Sequence, residues 1–215
     1  MSAVMTSPRF ASAQAYLDWE AQQTARHELV AGEVYAMTGA RATHNTITIN
    51  ALVHLRQALK GTPCRVHGLD LKLRVNAQGD FFYPDAMVSC DARDRLPVED
   101  RFISHPWLVV EVLSDSTAAY DRGRKFELYR GIDTLTHYLL VEQDRPYAEL
   151  FFRNAQGQWV LQPLPPGSLI EAALLGQPWP VDSLFYDVDF SLTPAARTLA
   201  ETGPDGEALA PRQSG

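Results

Sequence analysis

The stretch FFYPDAMVSC, residues 81–90, decides how this chain is interpreted. Eight of its ten residues suit a buried β-strand, but Pro84 and Asp85 interrupt it. A proline cannot donate a hydrogen bond to a sheet, and a carboxylate among apolar neighbours must be paired, protonated or bound to a cation. The sequence therefore predicts a strand that carries a carboxylate with a specific partner.

A second acid follows in the next apolar stretch, PWLVVEVLS, where Glu111 lies 26 residues after Asp85. The continuous apolar run predicts an inner strand that is buried on both faces. Two acids on adjacent apolar strands repel each other unless a cation lies between them, and oxygen ligands favour Mg²⁺ or Mn²⁺ over zinc. Lys125 comes 14 residues later, on the helix that this strand leads into.

The first half of the chain alternates between helical and extended patterns. We predict an amphipathic helix over residues 12–26 with Ser12 as its N-cap, and a hairpin over residues 27–37 with Gly32 in the turn. Near four-residue spacing of apolar side chains predicts a second helix over residues 43–61, ending at a glycine.

The second half predicts a sheet. Residues 64–75 form one expected strand, in which LDLKLRV alternates with a period of two; a polar surface connection then spans residues 91–105. A helix over residues 117–131 is followed by three further strands, in THYLLVEQ, AELFFR and QWVLQPL. A strand, helix, strand order requires part of the sheet to be parallel, so we expect an α/β (α+β) fold with a mixed β-sheet flanked by helices.

Domain organisation and composition narrow the class of protein. We expect a flexible start over residues 1–11, one domain over residues 12–192 and a disordered tail over residues 193–215. A chain of this length can bury a substantial core without disulfide cross-links. Cys64 and Cys90 are therefore expected to be reduced thiols in a cytoplasmic protein. Neither a signal peptide nor a membrane span is expected.

The charge balance limits how the chain could bind nucleic acid. A net charge of −7 argues against a protein that binds nucleic-acid phosphates over its whole surface. A local basic strip remains expected, and it would contain Arg122, Arg124, Lys125 and Arg130.

Several motifs together resemble one family. YPD, VVEVLS and DRGRKFELY, with the RHELVAGEVYAM opening, His44 and THYLLVEQDRP, are similar to the Uma family of putative restriction endonucleases, members of the PD-(D/E)XK nuclease superfamily. The resemblance covers most of residues 12–190. It implies a restriction-endonuclease-like fold with an N-terminal helix and hairpin, and a metal-dependent endonuclease that hydrolyses phosphodiester bonds in DNA.

The resemblance also implies roles for individual residues. Asp85 and Glu111 would hold Mg²⁺ or Mn²⁺ as metal ligands. The superfamily places its lysine two residues after the second acid, where this chain has Leu113. Lys125 would therefore be a migrated catalytic lysine, with Glu33 and His44 as weaker catalytic candidates. A homodimer would suit cleavage of two strands.

Each assignment has a plain structural alternative. Asp85 could form a local turn after Pro84, and Lys125 could be an exposed partner of Asp121 at i,i+4. Glu33 could point outward from the hairpin, and His44 could be a capping or surface histidine. A chain that keeps the fold without the reaction, as a binding or assembly module, is the second hypothesis for the whole protein.

Overall fold

A computed structural model describes residues 8–37, 39–95 and 101–192 of the chain. Its helices are α1 (Ala13–Glu20), α2 (Ala42–Ala58), α3 (Ala118–Tyr120) and α4 (Phe126–Tyr129), with a π-helical turn, Asp121–Lys125, joining α3 to α4. Short 3₁₀ turns are Ala92–Arg95, Ala173–Leu175, Val181–Phe185 and Phe190–Leu192. The strands are β1 (His27–Val30), β2 (Glu33–Ala36), β3 (Arg65–Gly68), β4 (Lys72–Arg74), β5 (Phe81–Phe82), β6 (Ala86–Ser89), β7 (Phe102–Ile103), β8 (Pro106–Leu113), β9 (His137–Glu142), β10 (Ala148–Arg153), β11 (Trp159–Leu164), β12 (Leu169–Ile170) and β13 (Trp179–Pro180).

The strands form two larger sheets and one small one. A five-stranded sheet has the order β2-β1-β5-β4-β7, a six-stranded sheet the order β11-β10-β9-β8-β6-β3, and β12 pairs with β13. Strands β8 and β9 run parallel, joined by the α3–α4 segment, while β6 and β8 are antiparallel. The predicted mixed α+β fold is therefore confirmed.

Two hydrophobic cores lie on opposite faces of the six-stranded sheet. On one face, α2 packs Ile47 and Leu55 against Val110 and Val112 of β8. On the other face, α4 and the five-stranded sheet pack against the alternate residues of β8, with Phe82, Val109, Leu113, Phe126 and Tyr129 in one cluster. The strand β8 is thus buried on both faces, as its unbroken apolar sequence predicts.

The N-terminal elements also follow the sequence pattern. Ser12 caps α1, accepting a hydrogen bond from the Ala15 N–H at 3.2 Å, although the helix ends at Glu20, before the predicted residue 26. The hairpin of β1 and β2 turns at Ala31 and Gly32, with φ of 51° and 82°. A left-handed turn of this kind favours glycine, as predicted.

Pro84 and Asp85 mark the place where the chain leaves one sheet for the other. Phe81–Phe82 belongs to the five-stranded sheet, whereas Ala86–Ser89 pairs with β3 and β8 in the six-stranded one. A proline is tolerated here because residue 84 lies between the two sheets, where no backbone N–H is needed for strand pairing. The switch leaves Asp85 at the start of β6, beside the middle of the sheet.

The single strand predicted over residues 64–75 is wrong. The segment divides into β3 in the six-stranded sheet and β4 in the five-stranded sheet. Leu69, which the alternation places on the core face, lies in the turn between them with φ of 62° and is half exposed. Leu73 and Val75 are buried, so the alternation holds only within its second half.

The expectation of two reduced thiols is also wrong, because Cys64 and Cys90 form a disulfide. The physical reason is strand register. Arg65 of β3 pairs with Ser89 of β6, so the residues one step outward, Cys64 and Cys90, face each other across the two strands. Cysteine spacing alone carries no information about this register.

Other expectations fall partly outside the described residues. The tail over 193–215 and residues 1–7 lie outside them, whereas Phe10 packs on the rings of Tyr16 and Trp19. The polar connection over 91–105 contains a 3₁₀ turn and β7, with residues 96–100 outside the description. No helix in the described part of the chain has the length and apolar character to cross a membrane.

Candidate active site

Asp85 is fixed by partners from two different elements. Its Oδ2 accepts a hydrogen bond from the Val112 N–H of β8 at 2.7 Å and lies 3.4 Å from Nε2 of His44 on α2. Because its partner lies 27 positions away in sequence, Asp85 does not merely form a local turn after Pro84. Burial raises the pKa of Asp85, and His44 and the Val112 N–H oppose that rise only in part.

Glu111 is buried in the middle of the apolar strand β8, on the face toward α4. Its Oε1 accepts a hydrogen bond from the Tyr129 hydroxyl at 2.8 Å and lies 2.9 Å from the Lys125 ammonium. Burial raises the pKa of Glu111 to about 8, and the negative charges of Asp121 and Asp85 add to that effect. Ala86 of β6 pairs with Val110 of β8, so Asp85, one residue before Ala86, lies beside Glu111 on the neighbouring strand.

Lys125 brings the cation to this neighbourhood. Its Nζ lies 2.9 Å from Glu111, 3.0 Å from Glu28 and 3.7 Å from Asp121, and it stands 5.0 Å from the ring centre of Phe82. Burial alone would lower the pKa of Lys125, but the surrounding carboxylates outweigh it and hold that pKa well above its usual value. The alternative of an exposed partner for Asp121 is therefore wrong, because both side chains are buried.

The helix that carries Lys125 is distorted at that position. Residues 121–125 form the π-helical turn, so the expected continuous helix over 117–131 divides into α3, this turn and α4. Such π-bulges occur frequently at functional sites. The hydroxyl of Tyr138 donates to the Asp121 carbonyl at 3.1 Å, which satisfies one backbone group in the distorted segment.

The two weaker candidates have different positions. His44, in the first turn of α2, contacts Asp85 and is largely buried, so the structure brings it to the first of the two acids. Glu33 instead lies on the exposed side of the hairpin, where it pairs with Arg9 and accepts a hydrogen bond from Tyr35 at 3.1 Å. The Arg9 guanidinium and the Tyr35 hydroxyl hold the pKa of Glu33 below its usual value. Glu33 is thus an outward-pointing hairpin residue, as its structural alternative held. It does not lie with the other candidates, Asp85, Glu111, Lys125 and His44.

Sequence reasoning missed three residues of this neighbourhood: Glu28, Asp121 and Tyr129. Glu28 could have been found by the logic applied to Glu111, since it precedes two buried apolar residues in β1, an inner strand. The spacing of Asp121 and Tyr129, four residues before and after Lys125, would place all three on one helix face. That spacing does not reveal whether the shared face is exposed or buried.

The expected basic strip does not form as predicted. Lys125 is buried, and the Arg122 guanidinium donates to Glu142 at 2.6 Å and to Glu149 at 2.8 Å. Arg124 pairs with Glu127 at 2.8 Å, and Arg130 stacks over the ring of Phe126. These partners neutralise or occupy the charges that the sequence placed near each other.

Asp85 and Glu111 carry carboxylate oxygens, the ligand type that Mg²⁺ and Mn²⁺ take in proteins. Within the described residues, no group of three or more His, Cys, Asp or Glu side chains is arranged to hold a metal ion. Mg²⁺ needs only one or two protein carboxylates, since water and substrate phosphate complete its coordination. Hydrogen bonds in the described part of the chain engage Oδ2 of Asp85 and Oε1 of Glu111, and they leave Oδ1 and Oε2 for such an ion.

Comparison with known proteins gives consistent findings. Residues 13–182 match the Uma2 family, described as "Putative restriction endonuclease". The chain is 36% identical over 179 residues to the uncharacterized protein slr1290 of Synechocystis sp., covering 83% of this chain and 93% of that protein. It is 31% identical over 161 residues to the uncharacterized protein sll1609 of the same organism, covering 75% and 91%.

A solved structure supports the fold alone. It is a crystal structure of a putative nuclease belonging to DUF820 from Anabaena variabilis, with a TM-score of 0.66 and 14% sequence identity. The likeness covers 81% of this chain and 97% of the other. Two chains so different in sequence share the arrangement of sheets and helices, which confirms the predicted nuclease-like fold.

Proposed function

Because the chain belongs to the Uma2 family of putative restriction endonucleases, we propose that it is a metal-dependent endonuclease that hydrolyses phosphodiester bonds in DNA. The observation that carries the proposal is the position of Lys125, whose ammonium lies 2.9 Å from Glu111 at the strand where Asp85 is anchored. The helix supplies this lysine from outside the usual motif, as the resemblance implies. The homodimer and the cytoplasmic location stay predictions.

In this proposal the chain's own residues orient the reacting groups. The Val112 N–H fixes Asp85 and the Tyr129 hydroxyl fixes Glu111, so that each carboxylate keeps one oxygen for a ligand. Lys125 offsets negative charge that develops on the phosphate during cleavage. His44, which lies 3.4 Å from Asp85, would contact a phosphate oxygen or the attacking water. A bound Mg²⁺ or Mn²⁺ would polarise the phosphodiester and lower the pKa of that water.

The direct test is cleavage of DNA by the purified chain. Supercoiled and linear DNA would be incubated with Mg²⁺ or Mn²⁺ and either the wild type or Asp85→Asn, with Asp94→Asn as a matched control. Like Asp85, Asp94 has a mostly buried side chain that contacts a histidine, His105, at 2.9 Å. We expect cleavage by the wild type and the control, and a loss of at least about 100-fold in Asp85→Asn. DNA that stays intact in every sample would contradict the proposal.

One observation favours the alternative of a binding or assembly module without catalysis. Lys125 is engaged by three carboxylates in its buried position, so its ammonium would have to leave some of them to reach a phosphate. A nucleic-acid binding assay separates the two functions. The alternative expects binding without cleavage at any metal concentration, and equal binding by the wild type and Lys125→Met.

A further inference from the structure

Gln143 is a buried polar residue to which the proposed chemistry assigns no role. It is 2% exposed, and among the described residues neither its amide nitrogen nor its amide oxygen has a hydrogen-bond partner. Burying an amide without partners costs folding free energy, and native proteins contain few such groups. Where a chain keeps one, a role in binding a ligand is a frequent reason.

The position of Gln143 links it to the candidate active site. It directly follows Glu142, the last residue of β9, which pairs in parallel register with Leu113 of β8. Gln143 therefore lies beside Ser114, just past the ends of β9 and β8. This is the carboxyl end of the two parallel strands, where open α/β sheets bind their ligands.

Strand alternation gives the face on which Gln143 lies. Glu142 accepts a hydrogen bond from Arg122, on the face of the π-helical turn, so the next residue lies toward the opposite face, where α2 packs. Asp144 then accepts a hydrogen bond at 3.2 Å from Arg41, the residue before α2. Gln143 thus belongs to the same side of the sheet as His44, which lies one turn into that helix.

We propose that Gln143 positions the nucleic-acid substrate by donating a hydrogen bond from its amide NH₂ to a backbone phosphate oxygen near the scissile bond. This inference rests on the proposed function and adds a substrate contact to it. Glutamine side chains are among the groups that contact phosphates in nucleic-acid complexes. The Arg41–Asp144 pair next to Gln143 is a partly exposed ion pair, which costs little to open when the substrate binds.

The test compares Gln143→Leu with Thr48→Val. Thr48 is a matched control because it is also 2% exposed and its hydroxyl has no partner among the described residues. It differs from Gln143 in lying within α2, away from the ends of β8 and β9. Thermal unfolding, DNA binding in Ca²⁺ and cleavage kinetics would be measured for both variants and the wild type. Both replacements remove unpaired polar atoms, so we expect neither to lower the melting temperature.

The expected result is a rise of about tenfold in both Kd and KM for Gln143→Leu, equal across DNA sequences because a phosphate contact carries no sequence information. Thr48→Val should match the wild type. Wild-type affinity in Gln143→Leu, a loss that depends on DNA sequence, or a lowered melting temperature in that variant alone would each overturn the inference. If the wild type binds DNA but does not cut it, only the proposed enzyme fails, and the loss of binding still supports Gln143; if it neither binds nor cuts, both fail.

Discussion

An aspartate with a mostly buried side chain lies at each end of β6, and the two are satisfied to very different degrees. Asp85 directly precedes the strand, and Asp94, in the 3₁₀ turn that follows it, contacts the last strand residue, Ser89. At one end, Asp94 accepts hydrogen bonds from the backbone N–H groups of Ser104 and His105, both at 3.1 Å, and from the Ser89 hydroxyl at 2.5 Å. At the other end, Asp85 accepts one backbone hydrogen bond and contacts His44. The disulfide lies at the Asp94 end, and the buried acids and Lys125 lie at the Asp85 end.

The difference separates a structural carboxylate from a functional one. The oxygens of Asp94 are engaged by donors that hold a loop against the sheet, so nothing remains for a ligand. Asp85 is mostly buried and Glu111 is fully buried, each with fewer hydrogen-bond donors than it could accept, and burial raises the pKa of both. Proteins retain poorly satisfied buried groups mainly at functional sites, where a ligand can satisfy them. We therefore expect mutations at the Asp85 end to affect activity and mutations at the Asp94 end to affect only stability.

The largest effect on stability should come from removing the cation at the Asp85 end. Lys125→Met leaves Glu28, Glu111 and Asp121 buried together without their shared partner. Breaking a buried ion pair in this way costs about 3–5 kcal/mol. Chemical denaturation would measure the loss, and Arg124→Met, which breaks an exposed pair with Glu127, serves as the control. Equal stability in both variants would show that the acids are not held by Lys125.

The next effect belongs to the other end of β6. Reducing the disulfide, or replacing both cysteines with serine, removes a link between residues separated by 26 positions. Such a cross-link contributes about 3 kcal/mol by limiting the unfolded chain. We expect a reducing agent to lower the melting temperature of the wild type and to leave the melting temperature of the double-serine variant unchanged. A wild type indifferent to reductant would mean that the bond contributes nothing.

The pH dependence of stability tests the Asp85 end more finely. The pKa of Glu111 is raised in the folded chain to about 8, whereas the unfolded chain has an ordinary glutamate. Between those two values the folded state holds the extra proton, so its contribution to stability is complete at low pH and is lost as the pH rises toward 8. One proton corresponds to at most about 2.7 kcal/mol between pH 6 and pH 8. Denaturation at several pH values should show a shallower decline in Glu111→Gln than in the wild type.

The smallest effect is expected from Asp94→Asn. The amide keeps one acceptor oxygen but loses the other, which weakens one or two of the bonds to Ser104 and His105. The cost is about 1 kcal/mol of stability, with no change in DNA cleavage. A thermal melt and a cleavage assay check both parts. Impaired cleavage in a stable Asp94→Asn variant would remove the contrast between the two ends.

Much of this arrangement could be predicted from the sequence because local patterns determine it. The apolar run, interrupted only by Glu111, identified β8 as an inner strand and marked Glu111 as an acid in need of a partner. The glycine-containing turn predicted the hairpin, and the strand, helix, strand order predicted the parallel pairing of β8 with β9. Lys125 stood out because it lies on the helix that follows β8, and the family resemblance then implied its catalytic role despite its unusual distance from Glu111.

The remainder depends on tertiary register, which local patterns do not contain. The pairing of β3 with β6 brings Cys64 opposite Cys90, and no spacing rule foretells it. The packing of β1 in the second sheet brings Glu28 to Lys125. Glu33 became a candidate through the family resemblance, but the second strand of the hairpin places it on the exposed side, where it pairs with Arg9.

The most direct test of the central claim is calorimetric titration of the purified chain with Mn²⁺. Asp85 and Glu111 should share one ion, so the wild type and Asp94→Asn should bind it with the same affinity. Asp85→Asn and Glu111→Gln should lose that binding while remaining folded. Equal Mn²⁺ binding by all four proteins, or none by the wild type, would contradict the account.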